Sequence, residues 1–231
     1  MLSYPSLCQV HDFIRDIERQ NLEGDVVEIG CWKGGCAAFM GWAVKRYGGT
    51  RKVWAFDSFK GLPEPTKEDG GVWSSRRAIK RGQKGAFHAR AEDVQSISDR
   101  MAADVIVAPG FIEDTIPAAS IEKIALLRID VDLYEPTKHT LELLYDCVVD
   151  GGYVIFDDYA SWAGSRQAIY EFFVERKIYP NIMSHTYGPA FFRKRSEQGR
   201  PKGVIGSAAE PDKIGVPVRN QANAKKSNYR I

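Results

Sequence analysis

Two acidic stretches close apolar runs in this chain: LLRIDVDLYEPT, Leu126 to Thr137, and VIFDDY, Val154 to Tyr159. Asp157 follows Asp130 by 27 positions, and if both apolar runs are strands of one sheet, Asp130, Asp157 and Asp158 converge at the strand ends. Three such carboxylates suit a hard cation such as Mg²⁺, which takes oxygen ligands and keeps several waters. Without a cation they repel one another and at least one pKa rises; a divalent ion removes that cost. Helix capping accounts for Asp158 alone but poorly for all of them at once. The triplet Asp130-Val131-Asp132 has another use, because an acid, any residue and an acid at a strand end is how many glycosyltransferases hold a metal and a nucleotide-sugar diphosphate. That motif is short. A glycine turn upstream and the second acidic pair downstream weigh against it.

The glycine turn is GDVVEIGCWKGGCAAF, Gly24 to Phe39, an apolar run ending in an acid and a glycine that turns into a helix. Glycines let a backbone approach a ligand closely, and amides at a helix start sit at the electropositive end of the dipole. Trp32 stands where a dinucleotide fingerprint needs its second glycine, so a pyrophosphate is not the best ligand. Asp57, in WAFDSFKGLP, lies 27 positions after Gly30, where an acid at the tip of the next strand accepts bonds from ribose hydroxyls. Glu28, Gly30, Gly34 and Asp57 together suit a nucleoside carrying an amino acid, as in S-adenosylmethionine. The alternative use of the same residues is a tight turn with Asp57 as a helix cap.

These residues need a scaffold that brings strand ends together. Short apolar runs at Val26–Gly30, Val53–Asp57, Val105–Gly110, Ala125–Asp130 and Tyr153–Asp158 read as strands. Helical patterns lie at Leu7–Asn21, Gly35–Tyr47, Ala91–Ala102, Pro136–Val149 and Ser161–Lys177. The alternation predicts an α/β fold, a doubly wound, mostly parallel sheet covered on both faces. Ile182–Tyr187 and Phe191–Lys194, separated by a turn, predict a hairpin and hence an antiparallel last strand. Gly61 to His88 is too long and irregular for a simple connection and is a candidate lid or substrate-binding element.

Bulk properties exclude several classes. The 231 residues fit one domain, and 44% hydrophobic with 27% charged residues is an ordinary globular composition. Net charge is +2, yet Arg195 to Ile231 holds eight Lys or Arg against three Asp or Glu, so the basic excess belongs to the tail. Residues 196–231 read as a basic flexible tail with a solvated role, and no nucleic-acid partner is expected. No window approaches the roughly 18 apolar residues of a membrane span, and no leader pattern opens the chain. Cys8, Cys31, Cys36 and Cys147 lack zinc-site spacing, so reduced thiols in a cytoplasmic protein are expected. Tyr134, Trp162, Arg166 and Gln167 follow the acidic ends and are weak candidates for an acceptor pocket. His139 and His185 are read as structural, and no Ser/His/Asp or Cys/His set is legible.

In this order, GDVVEIGCWKGG, VWAFDSFKGLP, PGFIEDTIP, LLRIDVDLYEPT and GGYVIFDDY resemble the macrocin O-methyltransferase (TylF and MycF) family, over roughly Leu22 to Arg195. The resemblance implies a Rossmann-like class I methyltransferase domain at 23–195 with a seven-stranded sheet, preceded by an N-terminal helical segment at 1–22. It implies S-adenosylmethionine and Mg²⁺ as cofactors and a small-molecule hydroxyl, typically on a deoxysugar of a natural product, as acceptor. By position, Glu28, Gly30, Asp57 and Ser58 would hold the methionine and ribose parts, and Gly110 and Phe111 would lie by the adenine or the cofactor pocket. Asp130, Asp157 and Asp158 would be the metal ligands, with Asp130 also the candidate base. Two departures stand out: family members usually read DGD at 130–132, and they usually carry a longer N-terminal portion over the substrate. Val131 contributes no ligand, so the metal site survives the first; the second leaves the acceptor open. A relative of the cephalosporin-hydroxylase kind, using metal for another reaction, is a further reading, and homo-oligomerisation is left open.

Overall fold

The computed structural model describes residues 3–69, 84–184 and 189–195. Among them run β1 (Asp25–Ile29), β2 (Val53–Asp57), β3 (Ile106–Pro109), β4 (Ile124–Ile129), β5 (Val148–Phe156), β6 (Met183–Ser184) and β7 (Ala190–Arg193). They form one seven-stranded sheet in the order β3-β2-β1-β4-β5-β7-β6. The pairs from β3 through β5 are parallel, whereas β7 is antiparallel to both β5 and β6. The expected doubly wound sheet with an antiparallel last strand is therefore the observed one.

Among the described residues the α-helices are α1 (Tyr4–Arg19), α2 (Gly35–Arg46), α3 (Ala91–Arg100), α4 (Ile112–Ala118), α5 (Tyr134–Leu144) and α6 (Ala163–Glu175). Side chains alternate across a strand, so each central strand feeds two cores. Val27, Ile29, Leu127, Ile129, Val154 and Phe156 pack with Leu141, Ile169 and Phe172 from α5 and α6. Val26, Leu126, Tyr153 and Ile155 face the other way, against Val10, Ile14 and Ile17 of α1 and Met40 and Val44 of α2. The N-terminal helix is thus a wall of the sheet's own core, started by Ser3, whose hydroxyl accepts from the Ser6 N–H at 3.2 Å.

Two elements differ from the sequence-based expectation. The helix expected to reach Val149 stops at Leu144 and passes through a 3₁₀ turn, Tyr145–Cys147, so that Val148 already pairs with Ile124 in the sheet. Its β-branched Val148-Val149 pair prefers the pleat, and sheet pairing overrides the helical period. The short helix α4 was not anticipated, since seven residues ending near Pro117 carry almost no periodicity. The tail at 196–231, the tip of the hairpin at 185–188 with His185, and residues 70–83 of the long connection lie outside the described residues. Among the described residues no helix is long and apolar enough to cross a membrane.

The order of strands reverses between β1 and β4, which places a crevice beyond their carboxyl ends. Gly30 makes this crevice narrow at its floor. It sits at φ 86°, and a Cβ there would fall 1.9 Å from the Asp130 carbonyl oxygen. Gly30→Ala should therefore lower the unfolding free energy by roughly 3 kcal/mol through left-handed strain and backbone collision. Gly35→Ala, whose added Cβ meets nothing within 4 Å, should shift it by less than about 1 kcal/mol. Urea denaturation followed by circular dichroism compares the two; equal losses would sink the argument.

Candidate functional site

A cleft of about 1210 Å³ opens over the ends of β1, β2, β4 and β5, larger than the roughly 300–1,000 Å³ common for small-ligand pockets. Its floor is built by alternation. Glu28, Arg128 and Ile155 lie abreast on β1, β4 and β5, on the sheet face that α1 and α2 cover. One step of the same period further on stand Asp130 and Asp157, whose backbone amides extend the ladder to the Ile29 and Ile129 carbonyls at 2.9 and 3.0 Å.

Arg128 is the residue that reasoning from motifs missed. It is 2% exposed. Its Nη1 donates to Glu28 Oε1 at 2.6 Å and to Asp130 Oδ2 at 2.7 Å, and its Nη2 donates to Asp157 Oδ1. A charged residue at an apolar position of an otherwise apolar strand was the available signal. The expected ligand set is brought together: single oxygens of Asp130, Asp157 and Asp158 lie within 4.8 Å of one another. Asp158 is buried, and its Oδ2 accepts from the Asp132 N–H at 2.8 Å. Each of the three carboxylates thus has one oxygen engaged by a donor within the protein.

Electrostatics show what the cluster lacks. Burial raises the Asp158 carboxyl well above its ordinary range, and the neighbouring Asp132, Asp130 and Asp157 charges add to it. Burial, then the charges of Asp130 and Asp157, lift Asp132 to about 8. Glu28 is pushed up to about 7 by burial, against the pull of Arg128. One guanidinium leaves the group with an acidic surplus, and an all-oxygen donor set with spare lone pairs is what a hard divalent cation fits. The pair Asp130 and Asp132 does not form the cluster by itself, as a nucleotide-sugar site would need; Asp132 turns back at φ 61° and is not among the three.

The other half of the cleft holds Glu28, Gly30, Asp57, Ser58, Gly110 and Phe111, the residues expected to hold the cofactor, in its wall. Asp57 Oδ2 accepts from the Trp32 N–H and Oδ1 from the Phe59 N–H, each at 2.7 Å. These bonds tie the β1 turn to the β2 turn and fix the carboxylate at the rim, with a second lone pair left on each oxygen. Burial raises its pKa in spite of both bonds. Gly34 stands elsewhere: it is the left-handed cap of α2 at φ 77°, and a Cβ would strike Val94 of α3 at 2.5 Å. Gly34 makes room for a helix, while Gly35 lines the cleft. Glu28 is a floor residue, its Oε1 held by Arg128 and its Oε2 without a nitrogen or oxygen partner among the described residues.

Of the weaker acceptor-side candidates, Trp162 lines the cleft. Tyr134 is buried with its hydroxyl on Glu171, Arg166 donates to the Tyr159 carbonyl at 2.9 Å, and Gln167 donates to Glu171 at 2.8 Å. His139 bridges Glu113 and Glu135 on the surface, the structural role read for it.

Against known proteins, residues 1–194 match the family model described as macrocin-O-methyltransferase (TylF). Demethyldecarbamoylnovobiocin O-methyltransferase of Streptomyces niveus is 35% identical over 176 residues, 74% of this chain and 66% of that protein. Mycinamicin III 3''-O-methyltransferase of Micromonospora griseorubida is 31% identical over 176 residues, 74% of this chain and 69% of that one. The aligned stretch thus spans about two thirds of the length of these relatives. The solved structure of the O-methyltransferase NovP superposes with a TM-score of 0.71 at 29% identity, covering 82% of this chain and 79% of that one. With the fold, the strand-end carboxylates and the family match in agreement, the chain belongs to the macrocin O-methyltransferase family.

Proposed function

We propose that this chain transfers a methyl group from S-adenosylmethionine to a hydroxyl of a sugar on a glycosylated natural product, with Mg²⁺ in the acidic cluster. The observation that carries the reading is the meeting of Asp130, Asp157 and Asp158 within 4.8 Å beside the glycine turn. The named substrates of the relatives, novobiocin and mycinamicin precursors, support a glycosylated acceptor. Four cysteines without disulfides fit a reducing, cytoplasmic setting.

When bound, S-adenosylmethionine supplies an activated methyl group, and the cation supplies charge that makes an acceptor hydroxyl more acidic. Asp157, Asp158 and the second oxygen of Asp130 would hold the cation. Asp57 would accept from the ribose hydroxyls, and Gly30 and Gly35 would let the cofactor approach the backbone. Arg128 orients Asp130 and Asp157, so that their remaining oxygens face the cleft before any ligand arrives. Asp130 is held by Arg128 and would also hold the cation, which would leave it a weak base. Asp132, in the cleft wall and outside the Arg128 network, is the better proton acceptor, taking the hydroxyl proton on its own carboxylate oxygen.

Labelled S-adenosylmethionine assayed over sugars, glycosylated natural products and catechols should transfer methyl to a glycosylated acceptor. EDTA or Asp157→Ala should lower the rate by about 100-fold or more, with Mg²⁺ restoring only the EDTA-treated protein. Full activity in EDTA would end the metal reading, and exclusive activity on a catechol would replace the sugar.

The assignment of the base has its own test. Asp132→Asn should cut kcat by about 100-fold while Mn²⁺ affinity, read by paramagnetic resonance, stays within about threefold. Asp130→Asn should lose both. A kcat left intact in Asp132→Asn would return the proton to Asp130.

A further inference from the structure

We propose that Asp69 is a positioning residue that braces the acidic loops through the helix that follows them. It lies in a 3₁₀ turn, Lys67–Asp69, of the irregular connection after β2, yet it is 6% exposed. Its Oδ2 accepts from the Thr66 N–H at 2.8 Å and the Thr66 hydroxyl at 3.3 Å. Its Oδ1 accepts from the Tyr134 N–H at 2.7 Å. Tyr134 opens α5, and the residue in that helix's own capping position, Leu133, offers no side-chain bond. A carboxylate 65 positions earlier in the chain therefore does the work of the N-cap.

The same carboxylate meets the start of α6. A Cβ on Gly164, the second residue of that helix, would fall 2.0 Å from Asp69 Oδ1 and 2.9 Å from its Cα. Gly164 is the space into which Asp69 fits. The N-cap position of α6, Trp162, likewise makes no side-chain capping bond. Both helices begin directly after the loops that carry the cluster, α5 after Asp130 to Leu133 and α6 after Asp157 to Trp162. Thr137 Oγ1 donates to Ser165 Oγ at 3.1 Å and ties the two first turns together. One buried carboxylate thus bonds the start of α5 and packs against the start of α6, and so bears on where the two acidic loops stand. A carboxylate at the N-terminus of α5 also suits the electropositive end of that helix. Asp69 touches neither the cluster nor the reacting atoms, and it acts through the backbone of residues 130–134.

The functional half of this inference rests on the metal reading above. The test uses the full chain as wild type, Asp69→Ala, Asp69→Asn and Gly164→Ala. Calorimetry reads S-adenosylhomocysteine affinity, paramagnetic resonance reads Mn²⁺ affinity with S-adenosylhomocysteine saturating, and hydrogen exchange reads the Tyr134 amide. Asp69→Ala and Gly164→Ala should weaken Mn²⁺ by about tenfold and speed Tyr134 exchange by about tenfold, the scale of one lost cap. S-adenosylhomocysteine affinity should stay within about twofold. Asp69→Asn should recover part of the loss, because its Oδ1 still accepts from Tyr134 while its amide group faces the Thr66 N–H. Equal weakening of both ligands, or unchanged Mn²⁺ affinity with a deprotected Tyr134 amide, would overturn the brace. A wild type that binds S-adenosylhomocysteine but no Mn²⁺ ends the metal reading by itself. The brace then stands if Tyr134 exchange accelerates in both disrupting variants and recovers in Asp69→Asn, and falls if it does not.

Discussion

A buried guanidinium holds the centre of this molecule. Arg128 sits on β4, the strand between β1 and β5, and reaches a carboxylate on the first and carboxylates past the ends of β4 and β5. Taking one cation and several anions out of water is expensive, and only close, multiple hydrogen bonds offset that cost. Here the guanidinium serves three acids, and the fork geometry of arginine makes this feasible where a lysine point charge would serve fewer. The arrangement also fixes registry: Glu28 and Arg128 face each other across the β1–β4 pair, the point at which the sheet changes direction. A slip of one residue would send the charges into the apolar face built by Val27, Leu127 and Val154.

Legibility in the sequence followed how local each interaction is. The strands were readable because buried parallel strands are nearly unbroken apolar runs, and Val53–Asp57 was read to the residue. The acidic triad was readable because acids ending apolar runs are costly unless something gathers them. The end of α5 was not, because Val148 belongs to the sheet only through its partner Ile124. Gly34 illustrates a subtler limit. A glycine in a turn signals an absent Cβ, but only the position of Val94 shows that the space belongs to a neighbouring helix. Asp69 lies further out of reach, since nothing near it in the chain says that α5 needs a cap supplied from elsewhere.

The two halves of the cleft are made differently. The side over β1 and β2 is mostly backbone: the turns after these strands are knotted together by Asp57 through the amides of Trp32 and Phe59. Such a wall is rigid and shape-selective. The acidic side is mostly side chain, with carboxylates held in place by Arg128 and by the Asp132 amide. That wall is charge-selective, and small displacements of its loops change the spacing of its oxygens directly.

The acidic surplus then explains why the site is stable and reactive at once. Arg128 neutralises part of the charge, enough to keep the strand ends folded, but Asp158 and Asp132 remain far from their ordinary ionisation because burial and mutual repulsion act on both. A second arginine in reach would relax them. An alanine in place of Arg128 would leave the carboxylates without their internal partner, at a cost of several kcal/mol for an uncompensated buried charge. One fixed cation among several acids therefore leaves an acidic surplus at the strand ends. Strain of this kind concentrates where function needs it, and the apolar sheet beneath supplies the stability that lets it persist.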